Sequence, residues 1–343
     1  MKKRIFLCAL TALLLLPKSS AKEDFIRWVD FDVGYSALQR ALEIDIASQG
    51  EEPPLSWIDI LALAATHCGG KNISVKAVNS AAKELRGDRS PAEFLGEQFK
   101  YFAYYQEAYH AALGGLVGHY AIEVTNRETG EKEWVPAYGL KAFSPIAAGY
   151  GYSHYDDFGS SRTYGFARRH LGNDLLGALG TPIVAVEGGT VEALGWNQYG
   201  GWRIGIRSDD RLRYYYYAHL RKDNPYAPGL AEGQHVSAGD VIGFMGRTGY
   251  SHKENVNNIE TVHLHFGMEL VFDESQKECN SEIWIDVYNI VRLLSSHRSS
   301  VYYNKESGRW ERLYPFRDLD ADEGSSESIC KSGSREILSQ NEV

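Results

Sequence analysis

The sequence predicts an α+β protein, a helical N-terminal region followed by a mainly antiparallel β domain. Apolar residues recur at helical spacing from residue 22 to about residue 120. From there to about residue 272 the spacing changes to alternation, in short runs separated by turn residues. With 343 residues, the chain has room for about two domains of roughly 100–200 residues each.

Three segments carry the helical pattern. LSWIDILALAATHCGG stops at Gly69–Gly70, and SVKAVNSAAKELRG forms a second amphipathic stretch. The third segment starts at Ser90–Pro91, since proline suits the first helical position, and continues to Tyr120. The histidines of these segments lack a second ligand residue at metal spacing, and we interpret them as packing or surface residues. They are His67, His110 and His119.

The alternating region predicts a series of short strands. YAIEVTNRETGEKEWVPAYGL predicts a hairpin around residues 127–130, and a Gly- and Ser-rich loop follows it. One strand is expected on each side of Gly188–Gly189, and one on each side of Asp209–Asp210. GQHVSAGDVIGFMG adds another turn, and TVHLHFGMELVF closes the series. A short helix is predicted near residues 284–296, and the acidic chain beyond about residue 316 is predicted to be a loosely ordered tail.

The N-terminus has the pattern of a secretory signal peptide. Lys2 to Arg4 are basic, Ile5 to Leu16 are mostly apolar, and small residues precede a cleavage site after Ala21. An uncleaved membrane anchor is the alternative, which the shortness of the apolar run and Pro17 disfavour. We therefore expect an extracytoplasmic protein with no transmembrane segment in the mature chain.

Charge and cysteine usage narrow the function classes. Removing residues 1–21 takes away four basic residues and no acidic ones, which leaves 32 basic against 45 acidic residues, a net charge of −13. Such a chain is repelled by nucleic acid and by anionic surfaces.

The mature chain keeps Cys68, Cys279 and Cys330, so one intramolecular disulfide at most can form, and Cys279 with Cys330 is a possible pair.

A His-x-His pair lies in the last strand of the series. Residues two apart in a strand point to the same face, so His263 and His265 project together while Leu264 turns into the core. Two polar rings side by side on one face cost desolvation unless a partner or a metal satisfies them. The same parity puts Tyr215, Tyr217 and His219 on one face of the preceding strand, with Tyr217 a candidate wall of the cleft.

Upstream, His170 and Asp174 lie in RRHLGNDLLG. Gly172 and Asn173 favour a turn that runs into a strand, which brings both side chains to one place. Without the other motifs, we would interpret Asp174 as an aspartate that caps a turn. Together with the downstream histidines it supplies the ligand types of a catalytic zinc site, which uses three protein ligands and leaves one position open.

Taken in order, these motifs resemble the M23 family of zinc metallopeptidases, the lysostaphin-type or LytM-type peptidoglycan endopeptidases. The resemblance covers about residues 165–272 and includes His-x3-Asp, Tyr-Ala-His-Leu, the GQHVSAGDVIGFMGRTG run and His-x-His. It implies Zn²⁺ as cofactor and peptidoglycan peptides as substrate. It also implies that His170, Asp174 and His265 are the zinc ligands, and that His219 and His263 are non-ligating catalytic histidines.

The predicted organisation follows from the helical pattern, the strands and the resemblance. A signal peptide precedes a helical domain, a hairpin with a connecting loop, the M23-like metallopeptidase domain and a C-terminal extension. Their bounds are 1–21, 22–120, 121–164, 165–300 and 301–343.

The leading hypothesis is a secreted zinc endopeptidase, with His263 as the general base for a water molecule. His219 would steady the oxyanion or pass a proton to the leaving amine. The alternative is a non-catalytic or latent scaffold that activates other wall hydrolases, although none of the five site residues is missing. A serine or cysteine hydrolase lacks support, because no Gly-x-Ser-x-Gly motif is present.

The remaining polar residues near these motifs are interpreted as surface positions. The stretch from Gly249 to His263 is longer than usual for the family and can form part of the cleft wall. Residues that could approach the site, but for which we favour a solvated position, are His154, Asp156, Asp157, His235 and His252.

Overall fold

The computed structural model describes residues 25–87, 99–164, 167–277 and 281–321. The N-terminal part begins as extended chain and continues as helices, and a further helix follows the main sheet. The helices are α1 (Tyr35–Ala47), α2 (Trp57–Cys68), α3 (Val75–Leu85), α4 (Phe102–Leu113) and α5 (Tyr288–Leu294), with a short 3-10 helix at Glu274–Gln276.

Serine and glycine residues set the bounds of α2 and α3. The Ser56 hydroxyl accepts a hydrogen bond from the backbone N–H of Ile58 (3.2 Å) and begins α2. Gly69 ends that helix in the left-handed conformation, with φ of 70°, as predicted. Ser74 caps α3 in the same way as Ser56 caps α2, through the N–H of Ala77.

The third predicted helix ends earlier than the sequence suggested. Its start at Ser90–Pro91 lies outside the described residues, and α4 ends at Leu113. The prediction of helix to Tyr120 is wrong, because Gly114–Gly115 interrupt the helix and a strand begins at Val117.

The strands are short, as the alternating pattern predicts. They are β1 (Val117–Thr125), β2 (Lys132–Leu140), β3 (Tyr152–His154), β4 (Ser161–Arg162), β5 (Arg168–Arg169), β6 (Asn173–Gly177), β7 (Pro182–Val184), β8 (Gly189–Asn197), β9 (Gly201–Ser208), β10 (Arg213–Ala218), β11 (His235–Val236), β12 (Val241–Phe244), β13 (His263–Leu270), β14 (Ile283–Ile285), β15 (Val301–Asn304), β16 (Arg309–Arg312) and β17 (Phe316–Asp318).

An eight-stranded antiparallel sheet carries the predicted chemistry. Its order is β11-β8-β9-β10-β13-β6-β3, and β14 pairs with β13 beyond that path. The predicted hairpin around residues 127–130 forms as β1–β2, and β17 pairs with the other edge of β1. The α+β class, with helices first and antiparallel strands after, is therefore confirmed.

One local prediction is confirmed and another needs correction. The runs on either side of Gly188–Gly189 are both strands, as predicted; β7 pairs with β12, whereas β8 pairs with β9 and β11. The helix expected over 284–296 is shorter, since Trp284 and Ile285 belong to β14 and α5 begins at Tyr288.

Most buried apolar side chains of the described residues form a continuous cluster across the helical and β regions. It extends from Val29 through Leu61 and Tyr109 to Ile204, Phe266 and other side chains of the sheet. A second, smaller cluster includes Phe143 and Phe316. Burying these side chains stabilises the helical and β regions together. The domain bounds given above stay a prediction.

Some predictions fall outside what the structure describes. These are the signal peptide at 1–21, the part of the predicted tail beyond residue 321 and both members of the possible pair, Cys279 and Cys330. Loose order from about residue 316 is wrong at the start of that tail, because Phe316–Asp318 form β17 and pair with β1. Cys68 is a free, exposed thiol. Among the described helices, none has the length and apolar character needed to cross a membrane.

Candidate metal centre and catalytic pocket

Two neighbouring strands and the turn before one of them position the predicted ligands. Asp174 on β6 stands opposite His265 on β13 in the antiparallel register. His170 lies just before β6, where its N–H donates to Ser160 O (2.9 Å) and its carbonyl accepts from Gly159 N–H (2.7 Å). The predicted turn into a strand is confirmed, and it places His170 beside Asp174.

The three side chains converge on one point. His170 Nε2 lies 2.7 Å from His265 Nδ1 and 3.1 Å from Asp174 Oδ1, and His265 Nδ1 lies 3.4 Å from the same carboxylate oxygen. One donor atom from each residue falls within 4.8 Å of the other two, which suits a single metal ion. Asp174 Oδ1 is buried without a hydrogen bond of ordinary geometry, as a ligand atom would be.

Electrostatics at this cluster favour a bound cation. Burial works against charge at His170, but its hydrogen bonds to Asp157 and Asp174 prevail and raise its pKa to about 9. Burial also opposes ionisation of Asp174, yet His170 and His265 hold the pKa of that carboxyl far below its usual range. Burial lowers the pKa of His265. Asp174 therefore stays ionised, and its negative charge beside two imidazoles is what a divalent cation can neutralise.

His219 and His263 flank the cluster. His263 begins β13 and its Nε2 lies 3.7 Å from Asp174 Oδ1, while the rings of His219 and His263 are 4.7 Å apart between centroids. His219 follows directly after β10, which pairs with β13. All five predicted site residues therefore meet in one place.

The parity prediction for β10 is wrong at its last member. Tyr215 and Tyr217 do share the buried face, but both are almost fully buried and neither lines the cleft. The strand ends at Ala218, and His219 takes a positive φ of 61°, which breaks the alternation. Consequently Tyr216, not Tyr217, lies on the cleft face with His219.

Backbone carbonyls fix the tautomers of both flanking histidines. His219 Nδ1 lies 2.9 Å from Thr248 O, and His263 Nδ1 lies 2.9 Å from Thr261 O. Since a carbonyl only accepts, each Nδ1 carries the proton and a neutral ring keeps its lone pair on Nε2. Burial, with help from His263 and His265, lowers the pKa of His219 well below its usual range, so this ring stays neutral.

These residues surround a cavity of about 150 Å³. Aromatic and basic side chains that the sequence did not single out complete its wall. They are Arg162, Arg168, Arg169, Tyr199, Tyr216 and Tyr250, and the aliphatic Leu171 lies among them. The guanidinium of Arg168 lies over the rings of Tyr199 (4.6 Å) and Tyr250 (5.3 Å). The long 250–262 stretch therefore contributes to the cleft through Tyr250.

Among the polar residues predicted to be solvated, Asp157 and His154 are not. Asp157 is only 20% exposed and its Oδ2 lies 3.3 Å from His170 Nδ1. His154 is half-buried and its ring packs on Tyr288 at 4.5 Å, and burial lowers its pKa to about 4. The other residues interpreted as surface positions are exposed, which confirms that interpretation: His67, His110, His119, Asp156, His235 and His252.

Comparison with known proteins gives a consistent result. Residues 168–278 match the family described as Peptidase family M23. An L-Ala–D-Glu endopeptidase of Bacillus subtilis is 41% identical over 130 residues, which are 38% of each chain. Lysostaphin of Staphylococcus simulans is 37% identical over 98 residues, which are 28% of this chain and 17% of that protein.

A solved structure of the lysostaphin catalytic domain from Staphylococcus simulans is 29% identical, with a TM-score of 0.31; the match covers 41% of this chain and 92% of that one. The chain thus spans well under half the length of the curated relatives that it matches. The matched residues contain all five site residues described above. Residues 168–278, about a third of this chain, are thus the part that is similar to peptidase family M23.

Proposed function

We propose that this chain is an exported zinc endopeptidase that hydrolyses peptide bonds in bacterial peptidoglycan. The observation that carries the proposal is the cluster of His170, Asp174 and His265, whose donor atoms lie within 4.8 Å of one another beside two further histidines. Its relatives are named as an L-Ala–D-Glu endopeptidase and as lysostaphin, and we extend peptide hydrolysis to this chain on that basis.

The donor set suits zinc. Two imidazoles and a carboxylate are the protein ligands that catalytic zinc sites use. The proposed ligand atoms are Nε2 of His170, Oδ1 of Asp174 and Nδ1 of His265. When bound, zinc supplies a Lewis acid that polarises the scissile carbonyl and lowers the pKa of a water molecule.

The two flanking histidines handle the protons. His263 presents an unprotonated Nε2 to the cleft, because its Nδ1 donates to Thr261 O, and we assign it the role of general base toward the attacking water. His219 has the same tautomer. Steadying an oxyanion or delivering a proton to the leaving amine requires a proton on Nε2, so His219 fills either role only after it has gained one.

The scaffold hypothesis predicts a different cluster. A non-catalytic member would dispense with one or more of the metal-binding or proton-handling groups. Here the five side chains His170, Asp174, His219, His263 and His265 are all present and within contact of a neighbour in the group. This arrangement supports catalysis over a purely activating role.

The test combines metal content with product identity. The full chain, purified without chelator, is expected to contain about one zinc ion and to release peptide fragments from purified peptidoglycan, identified by mass spectrometry. Removing zinc with a chelator should abolish release, and returning zinc should restore it. A chain that binds no zinc and releases no fragment would contradict the proposal, and zinc binding without release would favour the scaffold role.

A further inference from the structure

The loop before β4 wraps around the first ligand. The backbone of His170 pairs with Gly159 and Ser160, and Tyr155 N–H donates to Asp174 O (3.2 Å). The Asp157 carbonyl accepts from the Ser160 hydroxyl (2.7 Å), which fixes the turn. Asp157 is therefore held beside both proposed ligands by backbone contacts that do not involve a metal.

His170 divides its ring nitrogens between two environments. Nε2 faces Asp174 and His265, as a ligand atom must. Nδ1 faces Asp157 alone among the acceptors, 3.2 Å from its carbonyl oxygen and 3.3 Å from its carboxylate Oδ2. A metal on Nε2 requires the ring proton on Nδ1, and Asp157 then accepts that proton's hydrogen bond.

The Asp157 carboxylate is itself held in place on both oxygens. Oδ1 accepts from the backbone N–H of Asp174 (3.2 Å), and Oδ2 accepts from Arg162 Nη2 (2.6 Å). The same Arg162 nitrogen lies 3.1 Å from His170 Nδ1 and 3.0 Å from Asp174 Oδ2. Arginine stays charged and cannot accept, so the acceptor for a protonated Nδ1 is Asp157.

We propose that Asp157 is a positioning residue, which orients the His170 ring and keeps its proton on Nδ1 so that Nε2 is free to bind the metal. This inference rests on the proposed function for the presence of a metal at the site. Carboxylates that accept from a ligand histidine raise its basicity and fix its orientation, and their removal weakens metal affinity about 10–100-fold.

The test measures zinc affinity directly and does not depend on hydrolysis. Full-length wild type, Asp157→Ala and Asp157→Asn are titrated with zinc against a competing chelator. Asp156→Ala is the matched control, because Asp156 is the adjacent carboxylate and is exposed. We expect the Kd for zinc to rise about 10–100-fold in Asp157→Ala, and less in Asp157→Asn, whose side-chain oxygen still accepts. Asp156→Ala should bind as wild type does.

Thermal unfolding of the metal-free proteins separates positioning from folding. For a positioning role, the metal-free Tm of Asp157→Asn stays near that of wild type while its zinc Kd rises. A Kd unchanged in both Asp157 variants, with zinc bound by wild type, would overturn this role and leave the proposed function intact. Failure of wild type itself to bind zinc would overturn the two together.

Discussion

Gly172 lies directly against the His265 ring. A β-carbon on Gly172 would come 2.8 Å from His265 Cε1 and 2.6 Å from the backbone oxygen of Phe266. The first of these atoms belongs to a proposed ligand and the second to the strand that carries it. Glycine at this position therefore allows β6 and β13 to bring Asp174 and His265 into register.

Gly172→Ala is expected to weaken zinc binding, because the added methyl group must displace either the ligand ring or the strand. We expect at least about a 10-fold increase in the zinc Kd, with a matching loss of hydrolysis. Gly151→Ala is the matched control, since a β-carbon there meets nothing within 4 Å. Equal zinc affinity in the two variants would show that the site accommodates the added methyl group without moving the ligands.

His263→Ala should separate catalysis from metal binding. The ring lies beside the ligand cluster but outside the group of three donors, so zinc content is expected to stay near that of wild type. Peptide release should fall about 10²–10⁴-fold, the usual contribution of a general base. His252→Ala, an exposed histidine of the same region, provides the comparison for both measurements. Zinc loss in His263→Ala would instead place this residue among the ligands.

Thr248→Val tests the support of His219. Thr248 is fully buried, and its hydroxyl donates to Leu220 O (2.6 Å) and accepts from Trp202 N–H (3.1 Å). Valine keeps the shape but leaves both backbone groups unpaired, which should lower the free energy of unfolding by about 1–3 kcal/mol. Hydrolysis should also fall, because the Thr248 carbonyl holds the His219 ring. Thr248→Ser retains the hydroxyl and should recover most of both losses in denaturant unfolding and peptide-release assays.

Arg213→Met should be strongly destabilising. Arg213 is completely buried; it forms an ion pair with Glu187 and donates to Ala111 O at the end of α4. Removing the cation leaves the Glu187 carboxylate buried without its partner, at a cost of about 3–5 kcal/mol in denaturant unfolding. Arg211→Met, two residues away and exposed, should change the free energy of unfolding by less than about 1 kcal/mol. Similar losses in the two variants would contradict a special role for the buried pair.

Asp45 should make stability depend on pH. Burial raises its pKa above the ordinary value of 3.8, although hydrogen bonds from Trp57 N–H and Tyr138 O–H oppose the shift. The folded state therefore holds this proton more tightly than the unfolded state, and the associated stability is lost as the pH rises from 3.8 through the folded pKa.

Asp45→Asn cannot titrate, so the free energy of unfolding of the variant should improve relative to wild type between about pH 3 and about pH 6. Urea unfolding across that range measures the difference. A difference that does not change with pH would mean that the pKa of Asp45 is the same in both states.

Local patterns in the sequence were sufficient for much of the fold, and the family resemblance named five site residues that the structure brings together. Turn residues and alternation predict the β1–β2 and β9–β10 hairpins, since both depend on neighbours in sequence. The partner of β7 is β12, far along the chain, and no local signal indicates that pairing. The end of α4 did have a local signal in Gly114–Gly115, but the sequence predicts that the apolar residues after them continue the helix, whereas they belong to β1.

The site shows the same division between local and distant information. Parity places Leu264 in the core and its two neighbours in the cleft, but fails at His219 because a single positive φ reverses the direction of the side chain. Asp157 carries no motif, and its role depends on a loop that folds back over His170. The contact between Asp157 and His170 can be seen only in the folded structure, where the loop lies against His170.

The hydrogen bonds from Arg213 to the end of α4 have a consequence for proteolytic processing of the proposed enzyme. β10 carries Arg213 at its start and leads directly to His219, and the guanidinium occupies the last carbonyls of that helix. A proteolytic cut that released the helices would expose Arg213 and its partner Glu187, and would also expose the start of β10. If the proposed enzyme is activated by proteolysis, these contacts favour a cut that leaves α4 bound beside β10.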